Sequence, residues 1–239
     1  MPPMLLEVEE LTVAYGDIQA LSGVSLALAP GELISVLGAN GAGKTSLLMG
    51  ILGLVPVRGG RIRFRGADIG RLPAWRRARA GMRLVPERAR VFPRLTVAEN
   101  LKAGRWGLGR DARAEERVRR LLDLFPVLRG RASQPAATLS GGEQQQLAIA
   151  RALVSEPALL LVDEVSMGLM PKLADEVFEV LARLNREEGL SILLVEQNAA
   201  ASLAISQRAY VLETGACVFA GSALRLREDP RLKAAYLGA

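Results

Sequence analysis

The chain has no histidine. Histidine-ligated zinc, Ser-His-Asp chemistry and imidazole general bases are therefore excluded. There is a single cysteine, Cys217. It can form neither an internal disulfide nor a CxxC site, which fits a reducing cytoplasm. Aromatic residues are only 4% of the chain. None clusters with the basic residues as a stacking surface for single-stranded nucleic acid would require. No run of 18 or more apolar residues occurs, so no segment is expected to span a bilayer by itself. Met1–Glu10 carries Glu7, Glu9 and Glu10 and no basic residue, so no secretory leader is expected. Lysine is scarce too: of 31 basic residues only 4 are lysine, leaving 27 arginines.

The 239 residues are 50% hydrophobic and 23% charged. That composition allows a substantial core and argues against wholesale disorder. Acidic residues number 25, for a net charge of +6. The charge is uneven: residues 58–131 hold 21 basic and 7 acidic residues, a local +14, and the remainder is −8. A solvated arginine-rich face, attraction to an anionic membrane surface or acidic partner, and nucleic acid are the competing readings. The shortage of aromatics disfavours single-stranded nucleic acid.

Strands are expected at Met4–Val13, Val24–Leu28, Leu33–Leu37 and Arg61–Arg65, the early ones forming an antiparallel layer. Residues 95–155 read as mostly helical, with a capping box at Thr96–Glu99. A helix is expected over Ala112–Phe125 and another over Gly142–Ser155. Ala158–Val162 and Ser191–Val195 are continuous apolar runs, as in parallel strands buried on both faces. Leu173, Val177, Leu181 and Leu184 mark an amphipathic helix between them. The alternation predicts α/β.

Three segments carry chemistry. Gly38-Ala39-Asn40-Gly41-Ala42-Gly43-Lys44-Thr45 fits GxxxxGK[ST], between an apolar run and a helix. Its glycines let backbone N–H groups converge on phosphate, aided by the helix start. Lys44 reaches β- and γ-phosphates, Thr45 can ligate Mg²⁺, and Ser46 adds a phosphate contact. Asp163, at the end of a buried strand, is expected to hold Mg²⁺. Glu164 is the candidate for polarising an attacking water. Finally, Leu139-Ser140-Gly141-Gly142-Glu143-Gln144-Gln145 places a hydroxyl and free N–H groups at a helix start. An ordinary serine N-cap is the competing reading.

The string LSGGEQQ, together with the phosphate loop and Asp163-Glu164, resembles the signature of ABC ATPases, and the resemblance extends along essentially the whole chain. It implies an ABC ATPase fold over 1–239: a P-loop core with a parallel sheet, an antiparallel β layer and a helical subdomain at about 95–155. It implies an ATPase that sandwiches MgATP between two subunits, with Ser140–Gly142 of one facing the phosphate loop of the other. Tyr15 matches the aromatic that stacks on adenine.

The chain departs from typical members. Glu87 stands where a glutamine is usual, Gln197 where a switch histidine is usual, Val165 in place of proline, and Met170 in place of an aspartate. Glu87, Gln197, Ser166-x-Gly168-Leu169-x-Pro171, Val91–Asn100 and Arg208–Gly215 are similar to ATP-binding subunits of branched-chain amino-acid importers. Urea and short-amide importers have very similar subunits. The resemblance implies permease subunits in the membrane, a second ATP-binding subunit that is either a paralogue or another copy of this chain, an indirect link to a substrate-binding protein, and no nucleic acid. It implies a peripheral place on the cytoplasmic face of a bacterial inner membrane. A glutamine at 197 can donate a hydrogen bond but cannot titrate, so no pH step from imidazole is expected. A non-transport regulatory ATPase is weakened by the retention of Glu164. A GTPase is weakened by the lack of an Asn-Lys-x-Asp motif.

Overall fold

Loose alternation of apolar and acidic residues starts the chain as a hairpin. β1 (Leu6–Tyr15) turns through Gly16 into β2 (Ile18–Leu28), with Tyr15 opposite Ile18. The computed structural model describes residues 3–106, 113–230 and 233–234. The chain continues through β3 (Leu33–Leu37), α1 (Lys44–Leu52), β4 (Val57–Phe64), β5 (Ala67–Asp68), α2 (Ala74–Arg79) and β6 (Met82–Val85). Next come α3 (Val97–Ala103), α4 (Ala114–Leu124), α5 (Pro126–Arg129) and α6 (Gly141–Leu153). Then follow β7 (Leu159–Asp163), α7 (Pro171–Glu188), β8 (Ser191–Glu196), α8 (Ala199–Ile205), β9 (Arg208–Glu213), β10 (Ala216–Ser222) and α9 (Ala223–Glu228).

Two sheets result. One is antiparallel, in the order β2-β1-β4-β5. The other has the order β10-β9-β3-β8-β7-β6 and is parallel except for its β9–β10 edge pair. Its central strands are buried at every residue because both faces are covered. Side chains alternate across them. Leu159, Leu161, Leu193 and Val195 pack with Leu47, Leu48 and Ile51 of α1 and with Leu6, Val8 and Leu11 of β1. Leu160, Val162, Ile192 and Leu194 face the other way, onto Leu147 and Ile149 of α6, Val177 and Leu181 of α7, and Phe125.

The parallel strands β3, β8, β7 and β6 all end at one edge, so the loops that follow them share it. Those loops hold Gly38–Gly43, Gln197, Glu164 and Glu87.

The expected α/β class is observed, as is the Thr96–Glu99 capping box. β2 begins at Ile18, not Val24, because Gly23 at φ +63° lets the strand pass an irregularity without ending. β4 begins at Val57, not Arg61. The expected start at Ala112 of the helix seen as α4 lies outside the described residues. Among the described residues no helix is long and apolar enough to cross a membrane.

Candidate active site

The loop Gly38–Gly43 leaves the end of β3 and enters α1. Gly43 has φ +100°, and a Cβ there would lie 2.7 Å from the Ala20 carbonyl oxygen and from Leu21 Cδ2. Only glycine fits that approach, which brings the β1–β2 hairpin against the loop. Tyr15, on that hairpin, is 45% exposed. It is therefore not a core tyrosine, and its ring is open to a ligand. A cavity of about 380 Å³ lies over the loop, lined by Gly38–Ala42 and by Val211–Thr214.

Lys44 is only 3% exposed. Its Nζ donates to the carbonyl oxygens of Gly38 (2.9 Å) and Ala39 (3.0 Å), and lies 2.9 Å from Glu164 Oε1. The adjacent Thr45 hydroxyl donates to Asp163 Oδ1 at 3.2 Å. Burial pushes the Asp163 carboxyl up to about 6. The Thr45 bond and Lys44 oppose that rise, and the Glu164 and Glu87 carboxylates add to it. A hydroxyl and a carboxylate on adjoining elements form a hard oxygen donor pair of the kind Mg²⁺ takes when phosphates and water complete its shell.

Glu164 lies in the left-handed region at φ +42°, a strained conformation for a residue with a side chain. Its N–H donates to the Val195 carbonyl at 2.9 Å, tying the end of β7 to the end of β8. Glu87 follows β6, pairs with Arg88 at 2.9 Å, and is near enough to Asp163 to act on its charge. Gln197 is exposed just after β8.

Ser140 is the N-cap of α6. Its Oγ accepts from the Glu143 N–H, and Glu143 Oε2 accepts from the Ser140 N–H at 2.8 Å. The capping box uses the oxygen lone pair and leaves the hydroxyl hydrogen free to donate. Gly142 also serves packing, since a Cβ there would meet Leu173 Cδ1 at 2.7 Å. α6 belongs to the core cluster on the opposite face of the sheet from α1. The starts of α1 and α6 thus sit on different layers of one chain.

The family model described as ABC transporter matches residues 21–167. The high-affinity branched-chain amino acid transport ATP-binding protein BraG of Pseudomonas aeruginosa is 44% identical over 234 residues, covering 98% of this chain and 100% of the relative. A probable branched-chain amino acid transport ATP-binding protein LivF of Archaeoglobus fulgidus is 36% identical, covering 98% and 99%. The chain belongs to the ABC transporter family. In fold it is similar to an ATP-binding cassette of an ABC transporter, MJ1267, in its ADP conformation (TM-score 0.87, 24% identity, 99% and 100% covered). It is the ATP-binding, ATP-hydrolysing subunit of such a transporter.

Two residues of this ABC subunit were not singled out by the sequence reading. Glu196, the last residue of β8, is 1% exposed. Its Oε1 accepts from the Ser166 N–H (2.9 Å), and its Oε2 from the Ser166 hydroxyl (2.9 Å) and the N–H groups of Gln197 (3.2 Å) and Asn198 (3.4 Å). Burial raises its carboxyl above the usual range, and those bonds oppose the rise. Arg77 of α2 is 2% exposed. Its guanidinium donates to the carbonyls of Gly50, Ile51, Gly70 and Leu72, at 3.0, 2.8, 3.0 and 2.8 Å. It thereby caps the C-terminal end of α1.

Proposed function

We propose that this subunit energises import of branched-chain amino acids through separate membrane subunits. The observation carrying the substrate class is the 44% identity to BraG over nearly the full length of both chains. Ser166-x-Gly168-Leu169-x-Pro171, Glu87 and Gln197 support it. The subunit is assigned to the cytoplasmic face of a bacterial inner membrane, held there by permease subunits. Its second ATP-binding subunit is a paralogue or another copy of this chain, with which it pairs on ATP, and a substrate-binding protein couples indirectly. The arginine-rich 58–131 tract fits a surface turned toward anionic lipid or an acidic partner.

In this reading the N–H groups of Gly38–Ser46 cradle the phosphates of ATP, and Tyr15 stacks on the base. Lys44 turns from Glu164 and the loop carbonyls to the β- and γ-phosphates. That exchange frees the Glu164 carboxylate to accept a proton from the attacking water. Thr45 and Asp163 are the residues that would hold Mg²⁺, which when bound offsets charge on the phosphates. Glu87, near enough to Asp163 to act on its charge, is the further carboxylate assigned to the nucleotide site. Gln197 donates to the γ-phosphate without titrating. Ser140, Gly141 and Gly142 of the second subunit close the far side of the γ-phosphate.

Glu164→Gln tests the chemistry: ATP turnover is expected to fall at least about a hundredfold, with an ATP-bound dimer accumulating in size-exclusion chromatography. Undiminished turnover would overturn the role. For substrate, deletion of the gene is expected to abolish energy-dependent leucine uptake and leave urea uptake intact. The reverse pattern would move the subunit to the urea and short-amide class.

A further inference from the structure

The Glu196 carboxylate bridges two loops that belong to different strands of the sheet. One runs from Glu164 through Ser166 into α7, and the other carries Gln197 and Asn198 into α8. Glu196 accepts four hydrogen bonds: two from groups of Ser166 on the first loop, and two from backbone amides on the second. A carboxylate is costly to bury unless such donors satisfy it. The five residues before it, Ser191–Val195, include four that are apolar, and one more apolar residue would have satisfied packing. What the carboxylate adds is a fixed distance between the two loops.

We propose that Glu196 is a positioning residue for ATP hydrolysis, holding the Glu164 loop and the Gln197 loop in register through Ser166 and the Gln197 and Asn198 amides. The inference rests on the roles proposed above for Glu164 and Gln197.

Two further observations support it. Glu164 sits at φ +42°, and a strained residue keeps such a conformation only where its surroundings over-determine it. Its own N–H is held by Val195, the neighbour of Glu196. Two residues on, Ser166 is held twice by Glu196 itself. The turn bearing Glu164 is therefore pinned to β8 on both sides of the strained residue. Glu196 is also not needed to start α8. That helix is capped by the Asn198 side chain, whose Oδ1 accepts from the Ala201 N–H at 3.2 Å.

The test compares the full chain with Glu196→Gln, Ser166→Ala and the double variant, measuring kcat and KM for ATP and thermal midpoint. Glu196→Gln keeps the volume but turns an amide N–H₂ toward groups that are themselves donors. It is expected to lower kcat about tenfold or more, because loosening a catalytic group by a fraction of an ångström has that scale of effect. KM for ATP is expected to stay within about twofold, because the Gly38–Ser46 loop is untouched. Ser166→Ala removes one of the two Ser166 bonds and is expected to give a smaller fall in kcat at the same KM. The double variant is expected to be no slower than Glu196→Gln alone, since both changes break one linkage.

A lowered thermal midpoint with unchanged kcat per folded subunit would reduce Glu196 to a structural residue and overturn the proposal. So would a rise in KM matching the fall in kcat. If Glu196→Gln does not fold, Ser166→Ala decides, and wild-type kcat in that variant overturns the proposal. Glu164→Gln is run in parallel. If it retains turnover, the assignment of Glu164 fails. If it is inactive while Glu196→Gln is fully active, only the positioning role fails.

Discussion

Lys44 Nζ and Glu164 Oε1 are 2.9 Å apart and both side chains are largely buried. The cation proposed for phosphate and the carboxylate proposed for water are thus each other's partner, and in the proposed mechanism an incoming triphosphate separates them. Lys44→Met removes the phosphate contact and leaves Glu164 without its cation. ATP affinity is expected to fall at least about tenfold, on the scale of a charged hydrogen bond. Titration with a fluorescent ATP analogue checks this, and a dissociation constant within twofold of wild type would refute it.

Asp163 gives the fold a pH dependence of definite sign. Its carboxyl is raised from 3.8 to about 6, so between those values the folded chain holds a proton that the unfolded chain has released. Stability is then lost as pH rises through that window and is level above it, by an amount on the order of 3 kcal/mol. Asp163→Asn is expected to unfold at a higher urea midpoint than wild type at pH 7.5, and at a similar midpoint near pH 4. Equal midpoints at pH 7.5 would show that burial does not control this group. The same substitution should abolish Mg²⁺-dependent turnover.

Ser140 combines a helix cap with a proposed contact across the dimer, and one substitution separates the two. Aspartate caps as well as serine but sets a negative charge against the partner's γ-phosphate. Ser140→Asp is expected to keep the thermal midpoint within a few degrees, since a cap is worth about 1 kcal/mol. Dimerisation dependent on ATP should be lost. Light scattering with and without ATP in the Glu164→Gln background reads the second effect, and a normal dimer would rule out the contact.

Arg77 is expected to be among the most sensitive positions for stability. Arg77→Lys keeps the charge but cannot reproduce four planar contacts to carbonyl oxygens. A loss on the order of 3 kcal/mol is expected in urea unfolding. Gly53→Ala should destabilise by the same route: its φ is +69°, and a Cβ would lie 2.8 Å from Arg77 Cζ. A loss below about 0.5 kcal/mol in either variant would contradict the capping role.

Much of the site was legible because its chemistry is contiguous in sequence. Gly38–Ser46, Asp163-Glu164 and Ser140–Gly142 are each one short contiguous segment, so residue type and spacing suffice to propose them. Glu196 escaped because its partner Ser166 is 30 residues away and the strand before it reads simply as an apolar run. Arg77 escaped for the opposite reason: amid 21 basic residues it looked like one more solvated charge, and only its burial distinguishes it. The absence of histidine excluded an imidazole step but not every titration near neutrality, since desolvation moves Asp163 into that range. The hairpin of β9 and β10 was not anticipated as strands. Cys217, Val218 and Phe219 alternate too weakly, and β10 is held at the edge by β9, which in turn pairs with β3.

The guanidinium of Arg77 has a mechanical consequence. α1 has nine residues, a rod of about 13 Å, with the glycine loop at one tip and the α2 side chain clasped at the other. Trp75, exposed on the same helix as Arg77, therefore stands one short helix away from the amides around Lys44.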